Sequence, residues 1–335
     1  MSNSTDARLI VRSLATGGAF CVCMMGLLFS AGCGQKQRSV DLYVDAVMLH
    51  ELDENEIAIE KLDSAVKLNK HFSLAYSLLG EIYLERKDYE KSAVSYEKAT
   101  ELNPWSFKDY FNLGQVYQTT KKFTQAVKAY VKACELKPDH LEAHINAAKS
   151  YYEIKDYNSA LIYGERAEKI DPNAGEIQKM LGDIYELRKD YDQAIAFYKR
   201  ALEIDSNNPE IMTSLAVAYL KTGLNSIAKE LLTSVIQIQP DNNAAYRHLG
   251  FCYLQLKDAD KSAESYGRAI EIDDKDWDSH RGLGVAYILK GKNGNGTIDG
   301  MLKAKAVQQW RLSLEIKPNQ SNREKLLKLI RYYSK

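Results

Sequence analysis

The chain repeats itself every 34 residues, and this period limits the folds open to it more than any other feature. The stretch AYSLLGEIYLERKDYEKSAVSYEKATELNP (75–104) is followed 34 residues later by DYFNLGQVYQTTKKFTQAVKAYVKACELKP (109–138). Pro104, Pro138 and Pro172 keep the same spacing. Because proline breaks the interior of a helix, these residues mark the boundaries between repeats. The period therefore predicts an array of similar structural elements.

Within each repeat, apolar residues recur at helical spacing twice, with a polar turn between the two runs. In residues 73–106, Leu79 lies in the first predicted helix and Tyr96 in the second. Asp88 ends the turn between them, where its carboxylate can accept the free amide protons of the second helix. Each repeat is thus predicted to be a helix-turn-helix hairpin.

Small and large residues occupy fixed columns in these hairpins. Small residues at fixed spacing let two helices approach closely, and large residues fill the space beside them. One small column contains Ala46, Gly80, Gly114, Ala148, Gly182, Ala216, Gly250 and Gly284, and one large column contains Tyr83, Tyr117, Tyr151, Tyr185, Tyr219, Tyr253 and Tyr287. Most of the 22 tyrosines are therefore predicted to be packing residues.

The small, aromatic and proline columns strongly resemble the tetratricopeptide repeat (TPR) family. The resemblance implies an all-α superhelical solenoid of about eight repeats over residues 39–320. We place the repeat starts at residues 39, 73, 107, 141, 175, 209, 243 and 277, with an insertion of ten residues in the last repeat, at about 290–303. Residues 321–335 can form an amphipathic helix that caps the array.

The N-terminal segment has the order of an export signal. Arg8 and Arg12 precede an uncharged run that extends from residue 14 to residue 32 and ends in Ser30-Ala31-Gly32, just before Cys33. These four residues resemble the lipobox of bacterial lipoproteins, although Ser30 stands where leucine is usual. The resemblance implies that 1–32 is a cleaved signal peptide, that Cys33 carries the lipid (palmitate), and that 33–38 is a tether.

Two other interpretations of this segment stay open. The uncharged run is close to the ~20 residues that span a bilayer, so it could be an uncleaved anchor, or the protein could be an ordinary secreted one. All three interpretations export the rest of the chain. We predict a membrane-anchored lipoprotein of the bacterial cell envelope.

Composition excludes several function classes. Lys and Arg total 45, and Asp and Glu also total 45, so no overall basic excess favours nucleic acid. The sequence has no Walker loop, dinucleotide fingerprint or nucleophile elbow, so neither an enzyme nor a cofactor is predicted. Cys134 and Cys252 are interpreted as apolar helix residues rather than a disulfide, because they lie far apart in an elongated array.

Two segments could bind metal ions, but neither is predicted to. GKNGNGTIDGML (291–302) resembles part of an EF-hand loop, yet Gly291 and Leu302 stand where the first aspartate and the bidentate glutamate belong. Calcium binding is therefore not predicted there, and a flexible loop is expected. His140 and His144 are four residues apart, but the first falls in a turn and the second in a packing column.

What remains is the concave surface that stacked helix pairs use for binding. Arg247 and Arg281 are one period apart and could together pair an acidic group of a peptide. The alternative is that this stretch contacts the C-terminal helix or its own loop. Placed by the family pattern, the predicted groove contains Phe111, Asn112, Gln115, Asn146, Lys149, Tyr152, Val217, Arg247, Phe251, Leu254, Arg281, Val285 and Ile288, with an acidic middle of Glu176, Asp183 and Glu186.

The predicted function is a non-enzymatic, lipid-anchored scaffold that binds protein or peptide partners in this groove. A carbohydrate- or peptidoglycan-binding module that uses the tyrosine and asparagine surfaces of repeats 3 and 4 is the alternative.

Overall fold

The computed structural model of the protein describes residues 29–292 and 297–334, with side chains from Gly34 onward. These ranges contain seventeen α-helices and no β-strand. The helices are α1 (Phe29–Glu51), α2 (Asn55–Leu68), α3 (Ser73–Glu85), α4 (Tyr89–Leu102), α5 (Phe107–Thr119), α6 (Phe123–Leu136), α7 (Leu141–Glu153), α8 (Tyr157–Ile170), α9 (Gly175–Leu187), α10 (Tyr191–Ile204), α11 (Pro209–Lys221), α12 (Asn225–Ile238), α13 (Asn243–Gln255), α14 (Ala259–Ile272), α15 (Trp277–Gly291), α16 (Gly300–Ile316) and α17 (Arg323–Tyr333).

Helices α1 to α16 form eight pairs, and the first helix of each pair from the second onward begins at the predicted start of a repeat. The predicted all-α class, the eight helix-turn-helix repeats and the C-terminal helix are confirmed. The chain divides into two compact modules, an N-terminal module up to Leu136 and a C-terminal module from Lys137. Within each module, the first helices of neighbouring repeats contact one another, as α3 contacts α5 and α13 contacts α15.

Seven of the eight helix pairs combine a small residue of the first helix with a large residue of the second; in the fourth pair, Ala148 is followed sixteen residues later by Gly164. In four repeats a glycine of the first helix lies under a tyrosine sixteen residues later, and a Cβ added to the glycine would come within 2.8 Å of the ring. These pairs are Gly80–Tyr96, Gly114–Tyr130, Gly182–Tyr198 and Gly250–Tyr266. Where the small residue is Ala46 or Ala216, the residue sixteen positions later is a buried leucine, Leu62 or Leu232.

The large residues that pack against the small column therefore lie in the second helices. The sequence interpretation did not identify this second column of large residues. The tyrosines of the predicted large column, such as Tyr83 and Tyr185, are partly buried and pack against the edges of the cores. Since a protein interior is close-packed, the glycines of this column face aromatic residues, whereas Ala46 and Ala216 are matched with leucines of smaller volume.

The turn inside each of the first seven pairs has the same backbone conformation. One residue per turn, 34 positions apart, has a φ between 58° and 81°. The next residue but one starts the second helix, and in four of the seven turns an aspartate between them caps that helix. The carboxylate of Asp156 accepts the amide of Ser159 at 3.2 Å, and that of Asp190 accepts the amide of Gln193 at 3.3 Å. The left-handed residues are Asp53, Lys87, Lys121, Lys155, Lys189, Gly223 and Lys257.

The eighth pair keeps the packing of the others despite its insertion. Gly284 faces Trp310, which lies 26 rather than sixteen residues later, so the ten extra residues are absorbed between α15 and α16. Trp310 is 1% exposed, and its Nε1 donates to the carbonyl oxygen of Arg281 at 3.2 Å. Helix α17 covers this cluster with Leu326 and Ile330, as predicted for a terminal cap.

At the N-terminus, residues 33–38, predicted to be a tether, form part of α1, which continues into the first repeat. Residues 1–28 of the predicted signal peptide and the side chain of Cys33 lie outside the described part of the chain. Among the helices that the structure describes, none is both long and apolar enough to cross a bilayer. Signal cleavage, lipidation and the tether therefore stay predictions.

Candidate partner-binding surface

In the N-terminal module, the predicted groove residues lie on α5 and are half-buried. The ring of Phe111 stacks on Phe107 with centroids 5.6 Å apart. The side-chain amide of Asn112 donates to the hydroxyl of Tyr96 at 3.0 Å, so it is already bonded within the protein. Gln115 lies one turn further along the same helix. This face of α5 is therefore partly occupied by contacts within the protein and is not fully accessible to a ligand.

Three further predicted residues lie on α7, in the C-terminal module. Asn146 is 9% exposed, which leaves its amide little access to a ligand. The ammonium group of Lys149 pairs with Glu176 on α9 at 2.5 Å. Tyr152 makes an edge contact with Tyr157, with centroids 5.6 Å apart. The asparagine and tyrosine groups proposed for a glycan are thus largely used inside the protein.

The acidic middle of the groove is a connected network on α9 and α10. The Lys179 ammonium lies 2.8 Å from Asp183 and 3.0 Å from Glu210 of the next repeat. The hydroxyl of Tyr198 donates to Asp183 at 2.8 Å and to Glu186 at 3.0 Å. Desolvation by burial raises the pKa of Glu186, and this outweighs the opposing effect of the Tyr198 hydrogen bond. Two of the three acidic residues predicted here, Glu176 and Asp183, are therefore paired with lysines of the protein.

Both arginines of the predicted anion site have partners within the protein. Arg247 lies 3.1 Å from the carboxylate of Asp276, whose side chain is only 4% exposed. Arg281 pairs with Asp278 and lies over the ring of Trp277, 5.6 Å from its centroid. Binding of a ligand carboxylate by these guanidinium groups would compete with these pairs.

The Asp276 carboxylate, which pairs with Arg247, is also held by contacts within its own helix. Desolvation raises its pKa, but hydrogen bonds from Ser279 and the charge of Arg247 lower it more, so the net pKa lies below its ordinary value. The same carboxylate caps α15 by accepting the amides of Asp278 and Ser279. Arg247 therefore links α13 to the cap of the next repeat.

An apolar strip runs along the inner face of the C-terminal module. Val217 on α11, Phe251 on α13 and Val285 on α15 occupy the same position in three successive repeats, and these first helices contact one another in turn. Val217 is half-buried and Phe251 is 40% exposed. Leu254 lies one turn beyond Phe251 and packs partly against the core of the seventh and eighth repeats.

The far end of this strip is covered, which corrects part of the sequence prediction. Ile288 is 8% exposed and belongs to the cluster of Trp310, Leu326 and Ile330, and Val285 packs against the same cluster. The C-terminal helix occupies the space that the prediction left open for a ligand. The accessible part of the apolar strip therefore centres on Phe251.

The two histidines of residues 140–144 make contacts within the protein. Nδ1 of His140 accepts the amide of Ala143 at 3.2 Å and so caps α7. His144 is 2% exposed, and its Nε2 lies 2.8 Å from the carbonyl oxygen of Pro138. In residues 29–292 and 297–334 no cluster of three or more metal-ligating side chains occurs. Residues 293–296 of the calcium-like loop lie outside these ranges.

Sequence reasoning missed a groove in the N-terminal module. It has a volume of about 650 Å³ and lies between α2, α3 and α4. Val66, Leu79 and Val94 are among its apolar lining residues, and Val94 is 66% exposed. Val94, an apolar residue among mainly polar ones in the middle of α4, could have indicated this groove in the sequence.

Comparison with known proteins identifies the repeats. Tetratricopeptide repeat models match residues 51–104, 187–249 and 244–276, and a model of anaphase-promoting complex, cyclosome, subunit 3 matches residues 85–167. Tetratricopeptide repeat models therefore match segments of both modules. No curated protein sequence matches the chain.

Solved structures with the same fold have low sequence identity to the chain. The C-terminal part of a TPR repeat-containing protein from Cytophaga hutchinsonii is 14% identical, with a TM-score of 0.57, covering 74% of this chain and 98% of that one. YrrB, a TPR protein described as having an unusual peptide-binding site, is 22% identical, with a TM-score of 0.51, covering 56% and 96%. Cut9–Hcn1 of the APC/C is 15% identical, with a TM-score of 0.53, covering 88% and 55%. These similarities show the fold alone.

Proposed function

We propose that the chain is a non-enzymatic scaffold, anchored by a lipid on Cys33 to a bacterial envelope membrane, that binds a protein or peptide segment on its inner face. The observation that carries the binding proposal is the exposure of Phe251. A phenylalanine on the first helix of a repeat, 40% exposed beside half-buried Val217, offers apolar area that only a partner can bury.

The surroundings of Phe251 favour a peptide over a small polar ligand. Arg247 lies one turn before Phe251 on α13 and is held against Asp276, so the charged neighbours are fixed in position. An ordered polar border around an apolar centre is the usual arrangement of a protein interface. Peptide-binding grooves of this kind accept apolar side chains as anchors and use the border for orientation.

The test of this site is a charge placed at its centre. Burial of the exposed part of the Phe251 ring is worth about 1 kcal/mol, and an aspartate there would have to be desolvated as well. We expect Phe251→Asp to weaken capture of the partner by about tenfold or more. The matched control is Ile227→Asp, because Ile227 is 45% exposed on α12, a second helix of its repeat.

Capture is measured by photo-crosslinking from position 217, which both variants leave free and which has the position of Phe251 one repeat earlier, in native membranes. The adduct is then identified, and unlabelled protein is added as a competitor. Arg247 is a poor target for this purpose, since its reversal to glutamate would place two carboxylates together in a partly buried position and damage the fold. If Phe251→Asp and Ile227→Asp capture the same partner equally well, the inner-face proposal is wrong.

The anchoring part of the proposal is supported by the sequence around Cys33 and has its own test. Cys33→Ala should abolish labelling by fatty acid and block maturation of the precursor. Persistent labelling of Cys33→Ala would place the anchor elsewhere. Loss of labelling with partner capture intact would leave the binding proposal standing, so the two parts fail independently.

A further inference from the structure

The neutral total charge of the chain conceals a strongly basic C-terminal end. Residues 290–335 contain eleven Lys and Arg against three Asp and Glu, a net charge of +8, whereas the whole chain has 45 of each sign. The remaining residues, 1–289, therefore carry a net charge of −8. This asymmetry is invisible in the overall composition, which was the basis for disfavouring nucleic acid as a partner.

Most of these basic side chains face solvent on α16 and α17. Some are engaged locally: Lys290 pairs with Asp260, Arg323 with Glu324, and Lys317 lies 4.4 Å from the ring centroid of Trp277. Lys305 lies 6.0 Å from the ring centroid of Tyr287. On α16 and α17, four others are exposed and take part in neither an ion pair nor a cation–π contact among the described residues; these are Arg311, Lys325, Lys328 and Arg331.

Helix α17 presents this charge on one side because its other side is fixed. Leu326 and Ile330 are buried against the Trp310 cluster. Lys325 and Lys328 are exposed, and Tyr332, one turn beyond Lys328, is 72% exposed. On α16, Met301 is 69% exposed. The outer surface thus combines flexible cations with a few large apolar or amphipathic side chains.

We infer that this surface, which we call the basic end (exposed residues of α16 and α17), docks on a lipid bilayer that contains anionic headgroups. Clusters of four to eight Lys or Arg near a membrane are attracted to such headgroups. Four of the seven basic residues on α16 and α17 are lysines, which act as mobile point charges and suit a fluid array of headgroups. Tyrosine is favoured at the boundary between lipid and water.

This inference does not depend on the lipid at Cys33. Because the apolar face of α17 is buried in the cap, the contact at the basic end is electrostatic and superficial. It should therefore weaken steeply as ionic strength rises.

The experiment uses the mature chain from residue 33 with Cys33→Ala, so that neither the apolar run of the predicted signal peptide nor a lipid on this cysteine contributes. Binding is measured by co-sedimentation with vesicles of phosphatidylcholine mixed with phosphatidylglycerol and with vesicles of phosphatidylcholine alone. The test variant is K325Q/K328Q/R331Q, since glutamine keeps a high helix propensity. The control is K67Q/K122Q/K128Q, which removes the same charge from three exposed lysines of the N-terminal module.

Each basic residue near an anionic surface contributes about a fivefold factor in affinity. We expect the test variant to bind phosphatidylglycerol vesicles about 100-fold more weakly than its parent, the control to change little, and the parent to ignore phosphatidylcholine. Circular dichroism checks that both variants fold. Equal losses in the two variants, no binding by the parent, or tighter binding to a DNA oligonucleotide than to the anionic vesicles would each overturn the inference.

Discussion

The contact between Gly250 and Tyr266 makes a sharp test of how the repeats are held together. Gly250 lies in the middle of α13, and a Cβ added there would be 2.8 Å from Cγ of the Tyr266 ring. Cγ is next to the backbone and cannot swing aside, and Tyr266 is 4% exposed. The same repeat contains Gly267, in α14, whose added Cβ would have no neighbour within 4 Å. The two glycines thus differ in packing and share their helical setting.

The expected magnitudes follow from two opposing contributions. Replacing glycine by alanine in a helix interior stabilises by about 1 kcal/mol. Overpacking a buried site costs about 1–3 kcal/mol, and three ring atoms within 2.9 Å place Gly250 toward the upper end of that range. We expect Gly267→Ala to raise the free energy of unfolding by about 0.5–1 kcal/mol and Gly250→Ala to lower it by about 1–2 kcal/mol.

Urea unfolding followed by circular dichroism measures both variants. A double variant completes the test, since Ala46–Leu62 and Ala216–Leu232 already show that alanine is paired with leucine. Combining Gly250→Ala with Tyr266→Leu should cost at least about 1 kcal/mol less than the two single changes added together. If Gly250→Ala stabilises as much as Gly267→Ala, the size-matching explanation of the repeat is wrong.

Three further predictions concern the caps, the Arg247–Asp276 pair and the buried thiols. Asp156→Ala should destabilise by about 1 kcal/mol and Asp156→Asn by much less, measured by thermal unfolding, because only the first removes the cap of α8; equal effects would contradict the capping role. The folded pKa of Asp276 is below its ordinary 3.8, so its contribution to stability is present above that value and lost as pH falls through the folded pKa. Asp276→Asn should therefore be less stable than the parent at about pH 6, with the difference shrinking below about pH 4, and a constant difference in urea unfolding would refute this. Burial raises the pKa of Cys252 to about 12, so a thiol reagent should modify it only after denaturation, and rapid labelling of the native protein at Cys252 would show that it is accessible.

Much of the fold was predictable because its information is local. The 34-residue period predicted where the helices start. The aspartates before α4, α8 and α10 predicted the N-caps that the structure has there. The buried aromatic column could have been found too, since Tyr96, Tyr130 and Tyr198 share the period. It was overlooked because the tyrosine column of the first helices is more complete.

The candidate site was less predictable because its interactions cross between repeats. Arg247 and Asp276 are 29 residues apart, and their pairing depends on how α13 and α15 stack. Ile288 has the pattern of an exposed residue within its repeat, but α17, which has no counterpart elsewhere in the described part of the chain, covers it. The family pattern predicts which residues lie on the inner face of a repeat. Whether those residues are exposed depends on contacts with helices outside that repeat.

The insertion in the eighth repeat also has a practical consequence. The extra residues leave Gly284 against Trp310 and both helices in place, so the turn between α15 and α16 can lengthen without altering the packed pair. Each doubling of a flexible loop costs only about 0.6 kcal/mol. This turn is therefore a ready position for engineering: a fluorophore, an affinity tag or a small domain could be placed there to report on the protein. The seven short turns, with one left-handed residue each, offer no such tolerance.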